Sequence, residues 1–504
     1  MDKLELERLI FLEKRIKEIA EEFGLLTTDI DFEIVPAQRV LEGMAYNFPK
    51  NFSHWSFGRD YDMHRTIFEH TGQGIPYEQV WNFERPKALV VETNPFALKV
   101  LVIAHVFGHV DYFLRNNLVQ HGRSFADIAQ EARDATDRFK KYEEKYGADE
   151  VEKTIDAGMS IQWQQHLDPF LEEELDNELA RERLIEITRA KLERNSDFGS
   201  EFQSPLTKEE KDQIEKYLRH LSQLAPPRPI YDILGYIIKH SLSLKPWQKD
   251  VLGVVRNQAR ALSPMGRTKM ADEGWATYWH LQIMRKLFEE KLLDGNDHGV
   301  FNDFHSAVTR ESRTDFNWYR VGLALFEDIK ERWDRGCFGR DFELCEDPVK
   351  KAYWDNGAMK GKEKIFQVAS FYSDRMIIEE FFTDEFIRKM RLYLYQAEED
   401  PSTGDTIYGI AESRPEVIRM LLKHAFTLYG MMPIKVQNSN HNGQQQLYLK
   451  HDFSGLEMDP QYREGTMRNI FYLWNRKVYL ESIEDSKQIL YSFDGHKHKT
   501  EKDK

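Results

Sequence analysis

The sequence predicts a mainly α-helical body followed by a small C-terminal α+β module, so an α+β protein overall. Three observations predict this. Apolar residues recur at helical spacing through most of the first 395 residues, and the run Val100 to Leu114 reads as a buried helix. After about residue 400, β-rich runs appear around Asn440-His441-Asn442-Gly443, a hairpin signal.

In chain order, Leu4 to Phe23 is a helix with heptad-like spacing, stopped by Gly24, and Phe32 to Val35 is a short strand. Residues 43–95 are rich in Gly, Asn, Pro and aromatic side chains and read as mostly irregular. Helices are expected over 96–119, 123–146, 149–165 and 171–194, then, after the polar loop Asn195 to Pro205, over 207–224, 229–242, 246–262, 270–293 and 315–334. Arg414 to Tyr429 is an amphipathic helix ended by Gly430. Strands Pro433–Asn438 and Gln445–Asp452, helix Pro460–Trp474, and strands near Val478–Ser482 and Gln488–Phe493 form the small module. The expected division is a helical body over 1–395, an α+β module over 396–494 and a polar, disordered tail over 495–504.

Composition bounds the function. With 41% hydrophobic and 31% charged residues the 504-residue chain is a globular protein with a large core. A net charge of −15 argues against sequence-independent nucleic-acid binding, which needs a basic surface. No apolar run reaches the length expected of a membrane span, and Met1-Asp2-Lys3-Leu4-Glu5 is too charged for a signal peptide. Two cysteines, Cys337 and Cys345, offer neither a disulfide framework nor a thiolate metal site, and the expected compartment is the cytoplasm.

The segment Ala104-His105-Val106-Phe107-Gly108-His109-Val110-Asp111 carries the chemistry. Histidines at i and i+4 lie one helical turn apart on one face, so both imidazoles can reach one ion, as in the H-E-x-x-H helices of zinc proteases. Val106 stands where those helices place the general base. In a second helix, Glu273 and His280 are two turns apart and share a face with Thr277. His105, His109 and Glu273 complete the two-His, one-carboxylate donor set of a catalytic zinc. The rival reading of the same residues is a hydrogen-bonded polar network in the core.

Proton handling then falls to Asp111, His280, Asp272 or Glu92. Asp111 lies about 240° around the helix from His105, on another face. His280 is the preferred acid/base, or else a fourth ligand that closes the site and makes it structural. The polar-aromatic loop at 52–59, with His54, Trp55 and Arg59, is a candidate substrate-binding wall. His166 and His305 are weaker candidates. Nucleotide-binding glycine motifs and the nucleophile elbow of serine hydrolases are absent.

Taken together and in this order, Phe52–Gly58 (FSHWSFG), Ala104–Asp111 (AHVFGHVD) and Glu273–His280 (EGWATYWH) resemble the SpoVR family, stage V sporulation protein R and its relatives. Thr268-Lys269-Met270, Gly322–Trp333, Leu447–His451 and Tyr472–Arg476 extend the resemblance over about residues 8–483. The chain departs at Val110 and Tyr112, where relatives usually read Asn and Phe, and at Phe316–Tyr319, where an Asn-Pro-Tyr motif is usual. The resemblance implies a cytosolic bacterial protein linked, in spore formers, to the peptidoglycan cortex, with relatives in bacteria that make no spores. It also implies association with a serine protein kinase and a von Willebrand-type partner. The EGWA motif is similar to the third-ligand helix of some Glu-zinc peptidases.

The function expected from these observations is metal-dependent hydrolysis of an amide or peptide bond in a peptidoglycan precursor or protein. A divalent ion, with zinc expected, sits on His105, His109 and Glu273, and His280 acts as acid/base. The alternative is a non-catalytic scaffold or regulator of the cell-wall machinery with a structural metal site or none.

Overall fold

A helix that is apolar on all sides must be covered on all sides, and the segment Phe96–Arg115 sets that requirement here. In the computed structural model it is one continuous helix in which every residue from Ala97 to Phe113 is buried. It is long and apolar enough to cross a bilayer, which sequence reading did not expect of any segment. Protein, not lipid, covers it: helices Lys3–Glu22, Lys269–Glu289, Gly295–Val308 and Gly361–Phe371 pack around it, as does strand β3 (Lys87–Val91). Its lone lysine, Lys99, is buried and pairs with Glu5 at 2.9 Å.

The structure describes residues 3–45, 63, 78–125, 128–168, 170–197, 207–221, 223–399, 406–427 and 429–502. They divide into one unit of residues 1–132 and 261–429 and another of 133–260 and 430–504. The chain therefore does not divide at 395/396 as expected. Residues 133–260 interrupt the helical body and fold with the C-terminal segment. Side-chain bonds show why: Gln164 binds Met432 O and Ile434 N, Ser241 Oγ donates to Leu473 O, and Ile230 pairs with Val436 through the backbone.

In the first unit, β1 (Asp31–Val35), β2 (Glu78–Trp81) and β3 form a sheet ordered β1-β3-β2, with β1 parallel and β2 antiparallel to β3. β4 (Leu394–Glu399) and β5 (Thr406–Glu412) make a separate hairpin. The second unit carries a five-stranded sheet of β6 (Ile434–His441), β7 (Gln446–His451), β8 (Val478–Glu484), β9 (Lys487–Phe493) and β10 (His498–Lys502), ordered β10-β9-β8-β7-β6. Helix Pro460–Trp474 provides the crossover between parallel β7 and β8.

Several expected boundaries shift for local reasons. The first histidine-bearing helix stops at Arg115 because Asn116 leaves helical geometry and caps a new turn, its side chain accepting from Leu118 N and Val119 N. The Glu273 helix ends at Glu289, since Lys291 adopts φ 58° and Leu292 N returns to Leu287 O. Helix Gly295–Val308, not expected, starts at an Asp294/Asp297 capping box. β3 was missed because Lys87-Ala-Leu-Val-Val is a short, nearly all-buried run with no alternation. The tail expected to be disordered supplies β10, which pairs with β9 after a turn whose His496 and Lys497 amides donate to Asp494.

Two glycine contacts fix how closely the site helices approach. A Cβ on Gly108 would lie 2.6 Å from Ala276 Cα, and Gly274 meets Gly322 backbone to backbone. Beside this crossing, the fully buried Asp111 carboxylate accepts from Trp275 Nε1 at 2.7 Å, Leu26 N at 2.6 Å and the Arg115 guanidinium. It ties three chain segments together. Asp111→Ala leaves an indole N–H, an amide and a guanidinium without their acceptor and should cost about 3–5 kcal/mol, read as a lower urea midpoint at unchanged m-value.

Candidate metal centre

His105 and His109 project from one face of helix Phe96–Arg115, their rings edge to face at 4.6 Å. The Gly108–Ala276 contact brings helix Lys269–Glu289 close enough for Glu273 to reach both. Glu273 Oε2 lies 3.4 Å from His105 Nε2 and 3.5 Å from His109 Nε2, and the three donor atoms lie within 4.8 Å of one another. All three residues are buried. Bonds of about 2.0–2.1 Å to a tetrahedral ion imply donor separations of roughly 3.3–3.4 Å, so the two measured spacings suit a shared cation.

Hydrogen bonds set the tautomers. His109 Nδ1 lies 2.7 Å from the Asp272 Oδ1 acceptor, so Nδ1 carries a proton and Nε2 is the atom turned toward the cluster. His105 Nδ1 lies 3.0 Å from His280 Nδ1, and His280 Nε2 lies 3.1 Å from His305 Nδ1. If His105 presents its Nε2 lone pair to the cluster, its Nδ1–H donates to His280, whose Nε2–H donates to His305. Two ring nitrogens and a carboxylate oxygen in one place repel through their lone pairs unless a positive species lies among them, either a metal ion or a second proton on His109 Nε2.

The charges agree. Burial alone would lower the His109 pKa, but Asp272 and Glu273 outweigh it and raise it to about 10. Burial pushes Glu273 up, yet Lys269, which binds its other oxygen, and His109 hold it well below the usual carboxylate range. Burial and the neighbouring histidines keep His280 well below its ordinary value, and burial with Arg285 lowers His305. The cluster thus holds a proton on His109, which an incoming ion must displace.

His105 and His280 line a cleft of about 430 Å³, together with His305 on helix Gly295–Val308. The opposite wall is the loop at 310–317 and the start of helix Trp318–Asp334, whose Tyr319 ring lies 6.0 Å from that of His105.

The structure brings together His105, His109, Glu273 and His280 as expected from sequence. It does not bring Asp111 to them, because both its oxygens are engaged by Leu26, Trp275 and Arg115. Glu92 is exposed at the end of β3. His166 folds back on Asp168 in the second unit. His54, Trp55 and Arg59 lie outside the described residues. His280, with both ring nitrogens taken, is not a fourth donor of the cluster. Sequence reading names Asp272 as a proton-handling candidate but not as the partner of His109, misses the role of Lys269 and undervalues His305. Acidic and basic residues within four positions of Glu273 were the available signal. Nothing local to Asp374 announces that its carboxylate accepts from Met270 N and Ala271 N at 2.8 and 3.0 Å, satisfying the start of the Glu273 helix.

Fold and cluster together define a mainly helical protein with a buried His-His-Glu group able to hold a metal ion. The chain belongs to the SpoVR family: the model described as SpoVR like protein matches residues 3–431, and that of the SpoVR-like C-terminal domain matches 433–485. It is 24% identical over 495 residues to a protein of Escherichia coli (strain K12) named uncharacterized protein YcgB, covering 94% of this chain and 91% of that one. No solved structure matches.

Asp374 gives this helix a pH dependence. Burial, aided by Asp272 and opposed by its two amide bonds and Lys269, raises its pKa from 3.8 to about 7. The native state keeps a proton that the unfolded chain releases above about pH 4, so this group's contribution to stability falls from about pH 4 to 7 and is level above. Urea midpoints at pH 5 and 8 should drop less for Asp374→Asn than for the wild type.

Proposed function

We propose that this SpoVR-family protein is a metal-dependent enzyme that cleaves an amide or peptide bond in a peptidoglycan precursor or a protein, in the cytoplasm. One observation carries the reading: three buried donors, His109 oriented by Asp272 and His105 hydrogen-bonded to His280, stand beside a cleft rather than in a sealed core. Three protein donors among the described residues is the count typical of catalytic zinc, whereas structural zinc usually takes four. His105, His109 and Glu273 would hold the ion, with zinc expected from the donor set. Such an ion supplies Lewis acidity toward a carbonyl and a water. The chain's own residues do the rest. Asp272 and His280 orient the two ligands, and the surrounding helices keep water from the inner side of the cluster. His280 and His305, both on the cleft wall, pass a proton between the cluster and the substrate side. The family's name supports a role in sporulation, and the spore cortex is a peptidoglycan layer.

A scaffold or regulator of the same machinery is the second reading. Val106, fully buried where zinc proteases carry their base, favours it. Association with a serine protein kinase and a von Willebrand-type protein would fit either reading.

Elemental mass spectrometry on untagged protein should find one equivalent of a divalent metal. His105→Ala, His109→Ala and Glu273→Ala should each lose it, and a metal-free wild type after reconstitution would end the enzyme reading. Asp272→Asn keeps the shape but weakens the hold on the His109 tautomer, so it should lower metal affinity about 10–100-fold in a chelator competition while leaving the fold intact by circular dichroism.

A further inference from the structure

The cleft wall beyond the histidines has a composition of its own. Leu101, Phe304, Val308, Phe316 and Trp318 make it apolar, and Arg310 stands on it exposed to solvent. Because His105 and His280 are buried and Arg310 is exposed, the cleft runs from a charged rim to the histidine cluster. Among the described residues no carboxylate lies within ion-pair distance of the Arg310 guanidinium. A neighbouring cation on the same loop-and-helix wall is engaged: Arg320 reaches Glu311 at 3.7 Å and donates to Met390 O. The positive end of helix Trp318–Asp334 lies on the same wall, its cap Asn317 accepting from Arg320 N. Asp315 also lines the rim, its carboxylate accepting from Thr314 Oγ1, and limits how much negative charge the rim welcomes.

We infer that the cleft takes a small amphipathic monocarboxylate. Its anionic group pairs with Arg310 and its apolar portion lies against Leu101, Phe304, Phe316 and Trp318. A volume of about 430 Å³ suits a small molecule or the end of a peptide rather than a folded domain. Guanidinium pairs with carboxylate through two parallel hydrogen bonds, which places the group as well as attracting it. The inference rests on the cleft being the substrate's approach to the cluster. It narrows that substrate to a chain terminating in, or bearing close by, a single carboxylate beside an apolar side group.

The test uses the full chain and two probes, N-acetyl-phenylalanine and its uncharged C-terminal amide, titrated by calorimetry. The wild type should bind the acid about 10-fold more tightly than the amide, in line with a charge-assisted pair of about 1.4 kcal/mol. Arg310→Gln should cut that preference to about 2-fold or less with unchanged metal content and melting temperature. Val308→Trp, which fills the apolar wall, should weaken both probes together. Equal binding of the two probes by the wild type overturns the inference, as does a preference that survives Arg310→Gln. Repeating the titration in His109→Ala separates the two proposals. A preference that persists there and still depends on Arg310 supports the carboxylate site whether or not the metal reading stands. A preference that vanishes with His109 but not with Arg310 assigns the carboxylate to the cluster and overturns the inference.

Discussion

The close crossing of helices Phe96–Arg115 and Lys269–Glu289 is the constraint on which the site depends. Ordinary helix pairs keep their axes about 8–10 Å apart, spaced by the side chains between them. Here Gly108 faces Ala276, and on its other side the second helix meets Trp318–Asp334 through Gly274 and Gly322. Small residues at these points let backbones approach, and that approach carries Glu273 to within 3.5 Å of both histidines. A methyl group at 108 would not remove a donor, yet it would push the donors apart. The glycine thus belongs to the site as much as the residues that face into it.

Burying two imidazoles and two carboxylates in an apolar core is costly unless each polar atom is answered. The answers are arranged so that the opposing charges nearly balance: Asp272 on His109, Lys269 on one oxygen of Glu273, His280 on His105. What remains is one oxygen and two ring nitrogens directed at a common region. A purely structural polar network would be expected to close on itself with protons shared at ordinary hydrogen-bond lengths. The 3.4 and 3.5 Å spacings are long for such bonds and would also accommodate a cation.

What the sequence made legible was periodicity. The i, i+4 pair at His105 and His109 and the two-turn spacing of Glu273 and His280 are properties of single helices, and the structure preserves them. Apolar runs marked the core helix for the same reason. What it hid was everything decided between segments. Asp374, about a hundred residues from the amides it caps, has no local signature. Nor does the folding of residues 133–260 with the C-terminal strands, which depends on single side chains such as Gln164 and Ser241. His305 reads as a weak candidate because the helix that carries it, begun by an Asp294 capping box within a Gly-rich, acidic stretch, lacks a clear apolar stripe.

Val106 is the instructive departure from the zinc-protease pattern. Position 106 is fully buried against the core, so a glutamate there would sit in hydrocarbon rather than over a substrate. In this fold the approach to the cluster lies on the His105 side, where the cleft ends on His280 and His305. Under the enzyme reading proposed above, a proton-handling group is of use on that wall, which among the described residues supplies two imidazoles in hydrogen-bond contact with each other and with a ligand candidate. Val106 on the first helix and the His280–His305 pair on two others answer to the same geometry. The direction from which the site is reached decides which element can serve it.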